Sequence, residues 1–152
     1  MDSWYFAYGS NLWKDQMIAR TGAIGRAEHV PRIAHLENYR LVFQRLTTAG
    51  AAFANIVIPG DGVLGVIYRC SPADLEKLDR YEGGYQRQPI TVTDQYGEAL
   101  SAIAYIIRSA QAANFIKPSA EYLKKIVTGA RQHGLPEPYI QAVVAIAAGL
   151  KN

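Results

Sequence analysis

Residues 4–12 read Trp4-Tyr5-Phe6-Ala7-Tyr8-Gly9-Ser10-Asn11-Leu12, five residues suited to a buried strand running straight into three suited to a tight turn and a helix start. A strand that turns this sharply into a helix points successive backbone N–H groups, and the positive end of the helix, at one spot, which is a ready site for an anion. Glycine at position 9 lets a ligand approach the backbone. The plainer reading is that Gly9 makes the turn and Ser10 or Asn11 caps the helix.

Working outward, the strand Trp4–Tyr8 leads into a helix from about Trp13 to Thr21, closed by Gly22. Strand patterns follow at Ala27–Leu36, Tyr39–Gln44, Phe53–Ile58 and Val63–Cys70, and the turn Pro59–Gly62 predicts a hairpin between the last two. Ser71-Pro72-Ala73-Asp74 reads as a helix start, with Gly83 closing that helix. Two further strands, Tyr85–Thr93 and Leu100–Ile107, are joined by a turn at Gln95–Glu98, and Pro89 predicts an edge or a bulge because proline donates no ladder bond. The C-terminal third is helical. Ser119 is a candidate N-cap; Tyr122, Leu123, Ile126, Val127 and Ala130 form one stripe, and Lys124, Lys125 and Arg131 read as a solvated face. Gly134 ends this helix, and an apolar helix from Glu137 to Leu150 follows as a candidate homodimer interface. With no repeat or linker, residues 1–152 predict one α+β domain with a mostly antiparallel sheet.

Composition narrows the function. At 152 residues and 49% hydrophobic content, such a chain buries roughly two thirds of the surface it exposes unfolded. The net charge of +3 is interspersed without a dense Lys or Arg run, which argues against nucleic acid. The longest apolar run, Ala142–Leu150, falls short of the ~18 residues of a membrane span. The single cysteine, Cys70, lies in an apolar run as a small buried hydrophobe and fits a reducing, cytoplasmic setting.

The usual nucleophile motifs are missing. His29 and His35 are badly spaced for a shared ligand, and His133 sits in the last turn of a helix, where a cation is favourable. Among the carboxylates Glu82 stands apart. It follows Leu75 and Leu78 at i, i+3, i+7, which predicts an acid on the buried stripe near the negative end of its helix, with its pKa raised by desolvation and by the dipole. Its structural alternative is a pair with Arg87 or with amides near Gly83 and Gly84. An anion cradle beside one poised carboxylate points to a small carboxylate-bearing substrate handled by general acid/base chemistry, with no cofactor and no metal.

The stretches FAYGSNL (6–12), GVIYRCSPADLEKLDRYEG (65–83) and PSAEYLKKIVTGARQHGLPEPYI (118–140), in that order, resemble the γ-glutamylcyclotransferase (AIG2-like) superfamily; residues 53–68 resemble the family's central hairpin. The resemblance implies a small mixed barrel flanked by helices. It also implies release of an amino acid or amine from a γ-glutamyl group as 5-oxoproline forms. Glu82 matches the family's acid/base; Tyr5, Phe6, Ala7, Tyr8, Gly9 and Ser10 match the loop that holds the glutamyl moiety, which Asn11 continues; Tyr122 and Tyr105 match pocket tyrosines. The chain departs from the family at Gly83-Gly84-Tyr85, where a shortened loop bears on the choice of leaving group. Two rival readings are a cyclotransferase dedicated to one γ-glutamyl amine or γ-glutamyl-protected intermediate, and a protein that only binds a small carboxylate.

Overall fold

The computed structural model describes residues 1–23, 29–45, 50–108 and 115–150. Strand β1 (Ser3–Ala7) is made of WYFA-type residues that pack on both faces, and four of its five residues are buried. It lies antiparallel to β5 (Val63–Cys70), from Ser3↔Cys70 to Ala7↔Val66. Its other edge runs parallel to β7 (Ala99–Ile107) at Tyr5↔Ile103. β2 (Arg32–Leu36) bridges β5 and β6 (Tyr85–Asp94), and β6 and β7 form a long antiparallel hairpin, which closes a barrel in the order β1-β5-β2-β6-β7. The sheet is therefore mixed and mostly antiparallel, as expected. β6 pairs with β2 only at Thr93 and Asp94, so Pro89 has a ladder partner on one side alone.

The expected hairpin between residues 53–58 and 63–70 does not form. β4 (Ala52–Val57) pairs instead with β3 (Arg40–Arg45) in a separate two-stranded sheet. The reason is edge availability: β1 and β2 occupy both edges of β5. Residues 59–62 fold back over the turn before β3, where the Gly62 N–H donates to the Tyr39 carbonyl at 2.8 Å and a Cβ on Gly60 would lie 2.4 Å from Tyr39 backbone atoms. The fully buried Asn55 ties the small sheet to the barrel. Its Oδ1 accepts from the Ile107 N–H at 2.9 Å and its Nδ2 donates to the Ile107 carbonyl at 3.2 Å, so one side chain takes the place of a neighbouring strand. The expected strand start at Ala27 lies outside the described residues, and β2 begins only at Arg32.

Among the described residues four α-helices flank the barrel. α1 (Lys14–Thr21) follows a 3-10 turn, Ser10–Leu12, and ends at Gly22, whose φ of +92° favours glycine. α2 (Pro72–Asp79) has the predicted capping box, with Ser71 Oγ accepting from the Asp74 N–H and the Asp74 carboxylate accepting from the Ser71 N–H. It stops at Asp79, short of the expected Gly83. α3 (Ala120–Gln132) is capped by Ser119 Oγ, which accepts from the Tyr122 N–H at 3.1 Å. α4 (Glu137–Ala147) ends three residues before the predicted Leu150. No helix among the described residues is long and apolar enough to cross a membrane.

α3 positions the turn after β1 by direct contact. Gly129 sits against its backbone so closely that a Cβ there would lie 2.2 Å from Leu12 C and Trp13 N. One helical turn on, His133 Nε2 lies 3.0 Å from the Leu12 carbonyl and 2.9 Å from the Tyr68 hydroxyl, which itself donates to the Asn11 carbonyl at 2.9 Å. His133 is thus no helix-end cation. Burial, with Lys14 nearby, lowers its pKa to about 4, so a neutral imidazole serves the turn as a hydrogen-bond donor. Gly129→Ala forces backbone apart and should cost about 3 kcal/mol of stability, seen as a lower midpoint in thermal unfolding.

Candidate active site

The 3-10 turn Ser10–Leu12 forms one wall of a pocket whose other walls come from β1, α1, β4, α3 and the segment after α2. Of the residues expected there, Tyr5, Tyr8, Gly9, Ser10, Asn11, Glu82, Tyr105 and Tyr122 line it. Phe6 and Ala7 do not. Phe6 alternates to the opposite face of the strand from Tyr5 and is wholly buried in the core, and the short Ala7 methyl is 1% exposed. The first bonds inside the turn run from the Leu12 N–H to the Gly9 carbonyl and from the Trp13 N–H to the Ser10 carbonyl, each 3.0 Å. This leaves the Ser10 and Asn11 amides without an acceptor inside the turn. Neither Ser10 nor Asn11 acts as a side-chain cap; the N-cap position is Gly9. A Cβ on Gly9 would lie 3.2 Å from Ala54 Cβ and 3.5 Å from the Tyr122 hydroxyl.

Asn11, only 3% exposed, is the hub of the wall. Its Nδ2 donates to the Tyr5 hydroxyl at 2.9 Å and lies 3.5 Å from Glu82 Oε1. Its Oδ1 accepts from Gln16 Nε2 and from Arg20 NH1, both at 3.0 Å. Gln16 also donates to Ser10 Oγ at 2.6 Å, and the Arg20 guanidinium stacks 4.6 Å over the Tyr81 ring. Gln16 and Arg20 were not anticipated; their i, i+4 spacing on the helix after the turn was the available signal.

Glu82 reaches the pocket by a route other than the predicted one. Leu75 and Leu78 bury themselves from α2 as expected. Beyond Asp79 a series of turns takes over, with N–H to carbonyl bonds Tyr81→Leu78, Glu82→Asp79 and Tyr85→Glu82. These turns, not a helical stripe, carry the Glu82 side chain inward, where it is 13% exposed and lies 3.9 Å from Arg20 NH1. Burial raises its pKa to about 7; Arg20 opposes the shift and Asp79 adds to it. The alternative pair with Arg87 does not form: Arg87 Nε and NH2 bond the Asp79 carboxylate instead, at 2.9 and 2.6 Å. Asp79 Oδ1 also accepts from the Tyr105 hydroxyl at 2.6 Å, and Arg87 beside it holds its carboxyl below the usual range.

Further lining residues escaped sequence reading. Phe53 and Ala54 arrive with β4, whose partner strand was misassigned, and Tyr81 and Tyr85 flank Glu82 on its turns. Lys125, expected on the solvated face of α3, lines the pocket because it lies three residues from Tyr122 and shares its side of the helix. Arg20 and Lys125 thus both line the pocket that holds the Glu82 carboxyl, and Arg20 is the cation within 3.9 Å of it. Among the described residues no group of three His, Cys, Asp or Glu gathers as a metal site.

A buried acid with a raised pKa makes stability fall with rising pH, since the folded protein holds a proton that the unfolded chain has lost. The window opens at the ordinary value of 4.5 and closes near the folded value of about 7. Over that span Glu82 should cost the fold about 3 kcal/mol. Glu82→Gln, which does not titrate, should therefore gain stability relative to the parent between pH 4.5 and pH 8 in thermal unfolding series. A difference between the two that is flat with pH would mean that Glu82 is not desolvated.

Comparison with known proteins agrees with this geometry. The sequence pattern of the AIG2-like family matches residues 62–143. The gamma-glutamylcyclotransferase of Homo sapiens is 30% identical over 152 residues, spanning 93% of this chain and 77% of that protein. That of Bos taurus is 31% identical over 147 residues, spanning 89% and 73%. A solved gamma-glutamyl cyclotransferase structure superposes with a TM-score of 0.80 at 27% identity, covering 96% of this chain and 88% of its own. A barrel of this order, a strand-to-turn wall and relatives aligned over nearly the whole chain place this protein in the AIG2-like, γ-glutamylcyclotransferase family.

Proposed function

We propose that this chain is a cofactor-independent γ-glutamylcyclotransferase that converts a γ-glutamyl amino acid or amine to 5-oxoproline and the free amine, with Glu82 as the base and then the acid. Relatives at about 30% identity named gamma-glutamylcyclotransferase support the general activity. The observation that carries the chemistry is the Glu82 carboxyl, buried beside the Ser10–Asn11 turn with a pKa of about 7. At neutral pH such a group is present in both protonation states, which suits a residue that takes a proton and returns it.

The α-amine of the substrate loses a proton to the Glu82 carboxylate and attacks its own γ-carbonyl carbon, closing a five-membered ring. The tetrahedral intermediate collapses as the C–N bond to the leaving amine breaks, and the Glu82 carboxylic acid protonates that amine. Nucleophile and electrophile are tethered, so the protein chiefly folds the substrate and moves one proton; well-placed intramolecular attack has an effective molarity of order 10⁵ M or more. Lys125 is a second cation in the lining besides Arg20, and this favours a leaving group that carries its own carboxylate, an amino acid rather than a neutral amine.

The test is 5-oxoproline release from a panel of γ-glutamyl compounds by the parent and by Glu82→Gln. The variant should fold, bind a γ-glutamyl ligand as the parent does and lose about 10²-fold or more in turnover. A well-folded Glu82→Gln variant with substantial turnover would remove Glu82 from the chemistry. Gly9→Val places its branches against Ala54 and the Tyr122 hydroxyl and should abolish substrate binding. Full turnover by that variant would mean that the turn does not hold the substrate.

A further inference from the structure

One residue of β4 sets the polarity of two phenols in the pocket. The N–H and C=O of a strand residue point to the same side of its strand, and at Ala54 both meet pocket tyrosines. The Ala54 N–H donates to the Tyr122 hydroxyl at 3.0 Å, and the Ala54 carbonyl accepts from the Tyr85 hydroxyl at 2.5 Å. A phenol has one proton to give. Tyr85 gives its proton to Ala54, so its oxygen offers only lone pairs to anything else. Tyr122 is the reverse case. Its oxygen receives the Ala54 N–H, while the Ser10 oxygen in the same pocket accepts from Gln16 at 2.6 Å. Because the Ala54 contact takes a lone pair and not the proton, the Tyr122 proton is left for an occupant of the pocket that this ring lines.

We propose that Tyr122 donates a hydrogen bond to the γ-carbonyl oxygen as it becomes an oxyanion, and that Tyr85 accepts one from the substrate's α-amine, within the cyclisation proposed above. In the tetrahedral intermediate the attacking nitrogen and the oxyanion are bonded to the same carbon, so their partners must be neighbours. Tyr122 and Tyr85, held against the N and O of one residue, meet that requirement. Neither phenol changes its net protonation: the amine proton passes to Glu82 and returns to the leaving group, the electron pair of the C=O bond moves onto oxygen and back, and Tyr122 only shares its proton. Burial pushes Tyr122 up to about 12 despite the Ala54 N–H on its oxygen, so the proton is present at neutral pH. The amides of Ser10 and Asn11 are then left for the α-carboxylate.

The experiment measures kcat and KM for 5-oxoproline release from a γ-glutamyl dipeptide, together with the thermal midpoint, for the parent, Tyr122→Phe, Tyr122→3-fluorotyrosine and Tyr85→Phe. Loss of one oxyanion donor should lower kcat about 10²-fold with KM little changed in Tyr122→Phe, whereas 3-fluorotyrosine, which keeps the O–H, should restore most of kcat. Tyr85→Phe should raise KM more than it lowers kcat. An active parent whose Tyr122→Phe variant keeps its kcat, or whose fluorotyrosine variant falls as far as the phenylalanine one, overturns this assignment alone. A parent that turns over no γ-glutamyl compound overturns the cyclotransferase reading and this assignment with it.

Discussion

The site depends on how firmly the Ser10–Leu12 turn is pinned. α3 meets it backbone to backbone at Gly129, with no room for a methyl group. From the far side Tyr68 and His133 take up the Asn11 and Leu12 carbonyls. A helix can approach a turn this closely only through glycine, and the contact is stiff because neither partner has rotamers to give. With its backbone fixed, Asn11 holds its amide in place, and that amide in turn orients Tyr5, Gln16 and Arg20. The turn is therefore less a loop that ligands order than a rigid part of the barrel wall.

Glu82 shows which effect wins at this wall. Arg20 lies 3.9 Å from its carboxyl and favours the charged form. Were that the larger influence, the acid would titrate below its ordinary value, yet burial dominates and the pKa rises to about 7. Geometry explains the balance. Arg20 is held off by its bond to Asn11 Oδ1 at 3.0 Å and by the Tyr81 ring, so it touches Glu82 only at long range and in one place. Asp79, kept ionised by Arg87, adds like charge from behind. A carboxylate in a tight bidentate pair with arginine is held in its charged form; here Asp79 takes that pair and Glu82 does not.

What was legible in the sequence was local. The strand that runs into a turn at Gly9, the glycine stop at Gly22, the capping box at Ser71 and the cap at Ser119 are each set by a few adjacent residues, and each stands where it was expected. Glu82 was singled out as a buried acid through a helical period that the chain abandons at Asp79; its burial stands, carried by the turns that follow the helix. Long-range choices were not legible. Nothing near residues 53–58 says that both edges of β5 are taken, so Phe53 and Ala54 could not be assigned to the pocket. Lys125 looked like part of a solvated face because helical periodicity places a residue around the axis but does not say which neighbour covers it.

The abundance of phenols in the pocket follows from the same physics. A buried hydroxyl without a partner costs about 1–3 kcal/mol, and this pocket brings together Tyr5, Tyr8, Tyr85, Tyr105 and Tyr122. Each is partnered from inside the protein: Tyr8 by the Tyr105 carbonyl, Tyr85 and Tyr122 by Ala54, Tyr105 by Asp79, Tyr5 by Asn11. Tyr8, Tyr85 and Tyr105 donate to backbone carbonyls or an anchored carboxylate, so the direction of each of these O–H groups is set before any ligand arrives, whereas Tyr5 and Tyr122 accept from their partners and keep their protons. Dipoles oriented in advance need not reorganise when charge develops, which is where a protein environment outperforms water. Serine or threonine at these positions would turn more freely and reach less far. A rigid ring carries the hydroxyl across the barrel to a distant backbone partner, and tyrosine is the side chain that does this without bringing a charge.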